Sequence, residues 1–145
     1  MKLIIDTNLL LLLIIGNVDG GTRIRDSKRL QAYSVEDQEK ILVIMSQAQS
    51  LHITPYIAAE VSNLIDLKRY VKDMVMQEAA LVFETFECLD VDIRQDSLGE
   101  FPRLGLTDNS LLGYVKDYTI LTDDGPLSHE LRRINATNVI NLTPP

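Results

Sequence analysis

Two short apolar runs in this chain each end in carboxylates, and that pairing restricts the fold more than any other feature. Leu3-Ile4-Ile5 is closed by Asp6, and Tyr118-Thr119-Ile120-Leu121-Thr122 is closed by Asp123-Asp124. Both runs are short, rich in β-branched residues and bounded by polar ones, as buried strands are. In an open parallel α/β sheet, ligands collect at the C-terminal edge of the strands. Two acidic strand ends at that edge point to a cation site, and a cation among acids points to phosphate chemistry.

The rest of the chain alternates in the same way. A strand is expected over 2–6 and a helix over 8–16, then a Gly-, Asp-, Ser- and Arg-rich loop over 16–34. Ser34, with Asp37 three residues on, has the pattern of a capping box and starts a helix running to about Gln49. Ile41, Leu42, Met45 and Ala48 form its apolar stripe. A strand over 51–54 leads into Pro55, a favoured first helical residue, and a helix to about Leu67. A helix over 70–87, a strand over 89–93 and a loop over 94–106 follow. Thr107 then caps a helix to about Lys116, the strand 118–122 comes next, a helix runs from Pro126 to about Ile134, and 137–142 is the last strand. Strands separated by helices imply βαβ units, right-handed crossovers and a parallel sheet in an α/β fold.

A length of 145 residues suits a single domain, 1–145, with a real core. The formal charge of −7 argues against a generally basic nucleic-acid binder but leaves room for a local basic patch. Cys88 is the only cysteine, so no internal disulfide forms, and a cytoplasmic, reducing setting is the expectation. His52 and His129 are far apart, and no Cys/His cluster has zinc spacing. The run Leu9 to Ile15 is too short to span a membrane. With only Lys2 before it and no small-x-small site after it, it reads as a buried first helix, apolar on nearly all sides, and no membrane association is expected.

Each acid has a plain structural role open to it. Asp6 can cap the following helix, and Asp123-Asp124 can form a turn before Gly125-Pro126. Asp108, just past Thr107, can interact with a helix dipole. Glu60 lies six positions into the helix that starts at Thr54-Pro55, and its side chain leans back toward the C-terminal sheet edge, whereas Asp66 falls on another face. Taken together, these roles explain less. Carboxylates about 4 Å apart repel by a few kcal/mol at an effective dielectric near 20, so a fold gathers them where a cation or a proton relieves the cost.

Asp6-Thr7-Asn8 after the first strand, Glu60 on the helix after the second, Thr107-Asp108-Asn109-Ser110-Leu111-Leu112 opening a helix, and Leu121-Thr122-Asp123-Asp124 after a strand together resemble the PIN domain. The resemblance runs from Lys2 to Leu142. It implies a three-layer α/β/α fold with strand order 3-2-1-4-5 and a nuclease dependent on Mg²⁺ or Mn²⁺. Many bacterial members are toxins that cut RNA and are silenced by an antitoxin, so RNA as substrate, an antitoxin and a homodimer are the partners the resemblance brings. Residue by residue, Asp6, Glu60, Asp108 and Asp124 match the family's four acids, with Asp123 as the variable neighbour. Asp6, Asp108 and Asp124 would hold the metal, directly or through water, with Glu60 assisting, while Asn8 and Thr122 match positions that orient the acids. Two departures stand out: Asn109 replaces a small apolar residue, and 16–34 lengthens the gap between the first two acids. The implied reaction leaves a 5′-phosphate and a 3′-hydroxyl.

A nuclease must also hold the phosphate backbone. Arg23, Arg25, Lys28 and Arg29 are opposed within their segment by Asp26, and read either as a mobile phosphate-contacting loop or as a disordered linker. Lys68, Arg69 and Lys72, and Arg132-Arg133, read as solvated faces, and His129 as a surface helix residue. Two competing functions remain. A noncatalytic PIN-like RNA-binding or scaffold module would be favoured by a missing acid. A different Mg²⁺ α/β protein would need Asp-x-Asp at the first strand, where Asn8 stands, or an acidic pair there and a late Lys, where Leu121-Thr122-Asp123-Asp124 stands.

Overall fold

In a computed structural model describing residues 1–143, five parallel strands form one sheet flanked by helices. The strands are β1 (Lys2–Ile5), β2 (Ser50–Ile53), β3 (Glu87–Cys88), β4 (Thr119–Leu121) and β5 (Val139–Ile140), in spatial order β3-β2-β1-β4-β5. The helices are α1 (Thr7–Gly16), α2 (Val35–Ser46), α3 (Pro55–Leu64), α4 (Arg69–Thr85), α5 (Ile93–Asp96), α6 (Phe101–Leu104), α7 (Leu106–Tyr114) and α8 (Gly125–Asn135). The chain steps outward from β1 to β3, then returns across the sheet to β4. Right-handed crossovers in opposite directions put helices on opposite faces, which gives three layers.

The run after Asp6 forms a helix buried all round. From Leu9 to Ile15 every side chain is at most 1% exposed. α1 is packed by α2, α3 and α4 and shares one core with Leu3, Ile4 and Ile5. At about 25 cal/mol per Å² of apolar surface, such a segment supplies a large share of the folding drive. Among the described residues, no helix is long and apolar enough to cross a membrane.

The expected loop over 16–34 is an ordered wrap of three 3₁₀ turns, Asp19–Gly21, Ile24–Asp26 and Lys28–Leu30. Ile24 and Leu30 anchor it in the core. Ser34 caps α2 as expected, its backbone N–H donating to Asp37 Oδ2 at 3.0 Å.

Several boundaries differ from the sequence reading: the loop expected over 94–106 contains α6 and most of α5, α2 ends at Ser46 rather than about Gln49, and the last strand is Val139–Ile140 within the expected 137–142. The strand expected over 89–93 lies at Glu87–Cys88, and the chain turns into α5 at Ile93. This is an exposed edge strand of two residues, so no apolar pattern marks it. α3 ends at Leu64 rather than Leu67, which puts Asp66 in the connection, where its Oδ2 accepts the Arg29 N–H at 3.2 Å. α7 begins one residue before Thr107, capped by Gly105 at φ 82°, so Thr107 is a helical residue with its hydroxyl free for another task.

Gly16 ends α1 against Gln38 of α2. A Cβ there would lie 2.4 Å from Gln38 Cδ and 2.7 Å from its Cγ. Gln38 is buried and its Nε2 donates to Asn17 Oδ1 at 2.9 Å, so it is not free to swing away. Gly16→Ala is therefore expected to lower stability by about 1–3 kcal/mol through overpacking, despite the usual helical gain from Ala. In a Gln38→Ala background the same change is expected to be neutral or stabilising. Urea unfolding of the four proteins in the cycle checks this, and a penalty that persists without Gln38 contradicts it.

Candidate active site

Strand register brings the first and last acids together. β1 pairs β4 with Ile5 opposite Leu121, so the next residues, Asp6 and Thr122, meet across the ladder. The Asp6 N–H donates to Leu121 O at 2.9 Å and continues the pairing. Thr122, fully buried, donates its hydroxyl to Asp6 Oδ2 at 2.7 Å, and Asp6 Oδ1 accepts the Thr7 N–H at 2.7 Å. The Asp6 carbonyl accepts the Leu10 N–H at 2.9 Å and so starts α1. Asp6 thus has the capping role open to it from the sequence and still faces the other acids.

Asp124 caps α8, its Oδ1 accepting the Leu127 N–H at 2.8 Å, and its own N–H donates to Thr122 Oγ1 at 3.1 Å. Asp123 points elsewhere. Its Oδ2 accepts from the Tyr33 hydroxyl and the Thr143 hydroxyl, each at 3.0 Å, and its Oδ1 from the Thr143 N–H at 3.0 Å. Of the two adjacent acids, Asp124 is the one whose charge acts on Asp6 and Asp108.

Glu60 reaches back from α3 to join two other helices. Its Oε1 accepts the Thr7 hydroxyl of α1 at 3.2 Å, and its Oε2 accepts the Thr107 hydroxyl of α7. Asp108, on the first turn of α7, is partly buried and has no hydrogen bond or ion pair among the described residues. Asn109 beside it donates to Asp96 O and Leu98 O, both at 2.7 Å, tying α7 to the segment before it. That task requires an amide and accounts for the departure at this position.

The electrostatics are those of uncompensated like charges. Burial pushes the Asp6 carboxyl up from its ordinary range, against the hydrogen bonds from Thr122 and Thr7 that pull it down, and the charges of Asp124 and Glu60 push it further. Asp108 rises to about 7, first through burial and then through Asp6, Asp124 and Glu60. No cation enters either balance. An oxygen-only set with unrelieved negative charge suits a hard divalent cation. Among the described residues no three His, Cys, Asp or Glu side chains are drawn close enough to hold one ion directly. Mg²⁺ keeps several of its waters, so this donor set fits an ion held partly through water.

Asn8 and the basic segment stand apart from this cluster. Asn8 is exposed and makes no side-chain hydrogen bond to the acids among the described residues, so the orienting work falls to Thr7, Thr107 and Thr122. The hydroxyls of Thr7 and Thr107 were missed from sequence, although each flanks an acid directly. The basic segment is opposed by more than Asp26. Arg23 Nε lies 2.9 Å from Asp19 Oδ2 and its Nη1 3.4 Å from Asp26 Oδ2. Arg25, Lys28 and Arg29 form no ion pair among the described residues, and Arg23 and Lys28 line a cleft with Asp66 and Lys68, distinct from the acids.

Linkage gives the site a pH signature in the metal-free protein. Between the ordinary value of 3.8 and about 7, folded Asp108 holds a proton that the unfolded chain has lost. Stability is therefore expected to fall as pH rises through that window, with Asp6 acting in the same direction. Asp108→Asn is expected to reduce that slope and to raise the Tm at pH 8. Thermal melts in EDTA from pH 4 to pH 8 check this, and an unchanged slope in the variant contradicts it.

No protein-family model matches the chain and no curated protein matches it, so the reading of this site rests on its own geometry and charge.

Proposed function

We propose that the chain is a PIN-type, metal-dependent endoribonuclease that hydrolyses phosphodiester bonds of single-stranded or structured RNA. The observation that carries this reading is that Asp6, Glu60, Asp108 and Asp124 act on one another at the C-terminal edge of an all-parallel sheet, with no Lys or Arg charge among the causes that shift Asp6 and Asp108. The strand order 3-2-1-4-5 supports it.

A bound Mg²⁺ or Mn²⁺ would supply a water of lowered pKa and a charge that offsets the negative charge developing on the phosphate. Asp6, Asp108 and Asp124 would hold it. Thr122 and the Thr7 N–H fix both oxygens of Asp6, so its position is set before substrate arrives. Glu60, pinned by Thr7 and Thr107, is the fourth carboxyl beside the site and would accept a proton of the attacking water. In hydrolysis the water oxygen bonds to phosphorus, the bond from phosphorus to the 3′ oxygen breaks, and that oxygen takes a proton. The products are a 5′-phosphate and a 3′-hydroxyl.

Asp6→Asn, Asp108→Asn and Asp124→Asn are each expected to abolish cleavage while leaving the fold intact, because ligand charge is lost at nearly constant shape. Asp123→Asn is expected to retain cleavage, since its carboxylate serves Tyr33 and Thr143. An end-labelled RNA strand and a DNA strand of the same sequence, incubated with Mg²⁺, Mn²⁺ or EDTA, check this. Cleavage in EDTA, or a 2′,3′-cyclic phosphate product, contradicts the mechanism. RNA binding without cleavage in either metal favours the noncatalytic module.

The basic wrap is the proposed backbone contact. Replacing Arg25, Lys28 and Arg29 by Gln, with Arg23 as a fourth change, is expected to weaken RNA binding irrespective of sequence and to flatten its salt dependence. Because Arg23 is already paired with Asp19, the triple variant should carry most of the effect. An unchanged salt slope assigns the segment a structural role only.

A further inference from the structure

Asp123 and Gly125, the residues flanking Asp124, line a cleft of about 690 Å³ together with Tyr33, His129, Arg132 and Asn141. Its chemistry is the opposite of the acidic site's. Asp123 is its only acid among the described residues, and that carboxylate accepts three hydrogen bonds from Tyr33 and Thr143. The bond from the Tyr33 hydroxyl holds a half-buried ring in the cleft wall.

Arg132 lines the same cleft. Its Nη2 donates to Asn141 Oδ1 at 2.6 Å. Asn141 is itself anchored, its Nδ2 donating to Thr122 O at 2.7 Å and to Ser128 Oγ at 3.1 Å. Thr122 is the residue that holds Asp6, so one chain of hydrogen bonds ties this guanidinium to the first acid. The neighbouring Arg133 pairs with Glu130, whereas Arg132 forms no ion pair among the described residues. A guanidinium positioned by a neutral amide keeps its charge and its remaining N–H groups for an anion.

We propose that this cleft is the subsite for the nucleotide adjoining the scissile phosphate, with its base against the Tyr33 ring and its phosphate on Arg132. The inference rests on the reading of the acids as a phosphodiester-hydrolysing site. The volume suits one nucleotide. Asn141 is occupied within the protein and Asp123 accepts three bonds there, so the hold proposed for the base is stacking. Stacking accepts every base and favours purines through their larger faces. It also requires an unpaired base, so single strands and loops enter the cleft and duplexes do not.

Fluorescence anisotropy of labelled oligoadenylate and oligouridylate in EDTA, where no cleavage occurs, tests the subsite. Wild type is expected to prefer oligoadenylate. Tyr33→Leu should weaken binding by about tenfold and erase that preference, whereas Tyr33→Phe should stay within about twofold because the ring remains. Arg132→Gln should weaken both ligands and lower the salt slope by about one. Arg132 is exposed, so this variant tests the cleft even where Tyr33→Leu fails to fold. A photo-cross-link from a 4-thiouridine oligonucleotide should map to the peptides bearing Tyr33 or His129. Wild-type affinity and base preference in Tyr33→Leu and Arg132→Gln, or a cross-link elsewhere, overturn the subsite while leaving the hydrolase reading in place. The expected binding pattern without cleavage in Mg²⁺ or Mn²⁺ keeps the subsite and overturns the hydrolase. A wild type that neither binds nor cuts overturns both.

Discussion

The pairing of β1 with β4 sets the level at which everything else meets. A slip of one residue in β4 would turn the Thr122 side chain to the other face of the sheet and leave Asp6 without its hydroxyl donor. The ladder extends beyond the strands themselves: Asp6 donates to Leu121, and Thr122 donates to Ile140 at 3.0 Å. Three segments far apart in sequence are thereby fixed at one height. α1 and α8 start from that height, the first at Asp6 and the second at Asp124, so both helices inherit their position from the register.

Gathering acids at that edge opposes folding, and threonines distribute the cost unevenly. Hydroxyl donors from Thr7, Thr107 and Thr122 orient carboxylates without neutralising them. Asp6 receives such help, and Asp108 receives none. The site therefore contains one acid held by hydroxyl and amide donors at the sheet edge and another on a helix without such donors. A fold selected for stability alone would place Asn or Ser at Asp108, and keeping an unsupported acid there is the kind of local expense that accompanies function.

Sequence carried the acids, the buried α1 and the central strands because each has a strong local signature. An aliphatic run closed by Asp is readable without knowing its neighbours, and so is Ser34 with Asp37 or Thr54 with Pro55. What escaped depends on partners distant in the chain. β3 is polar and exposed, and only β2 defines it as a strand. Thr107 has the look of a cap until Glu60 is placed beside it. The wrap has a loop's composition, and Ile24 and Leu30 are too sparse to show a period. Tyr33 gains its role only through Asp123, on the far side of the fold's return crossing.

The density of α1 has a consequence for biosynthesis. Its aliphatic run must wait for the wrap, for α2 to α4 and for both neighbours of β1 before it is covered. β4, which completes the sheet on one side, is made well after α1. At about 5–20 residues per second, several seconds separate the two. Through that interval the run is an extended, uncharged aliphatic stretch, the chemistry that hydrophobic-segment chaperones bind. The helix that makes the finished core so complete is thus the part of the nascent chain most in need of shelter.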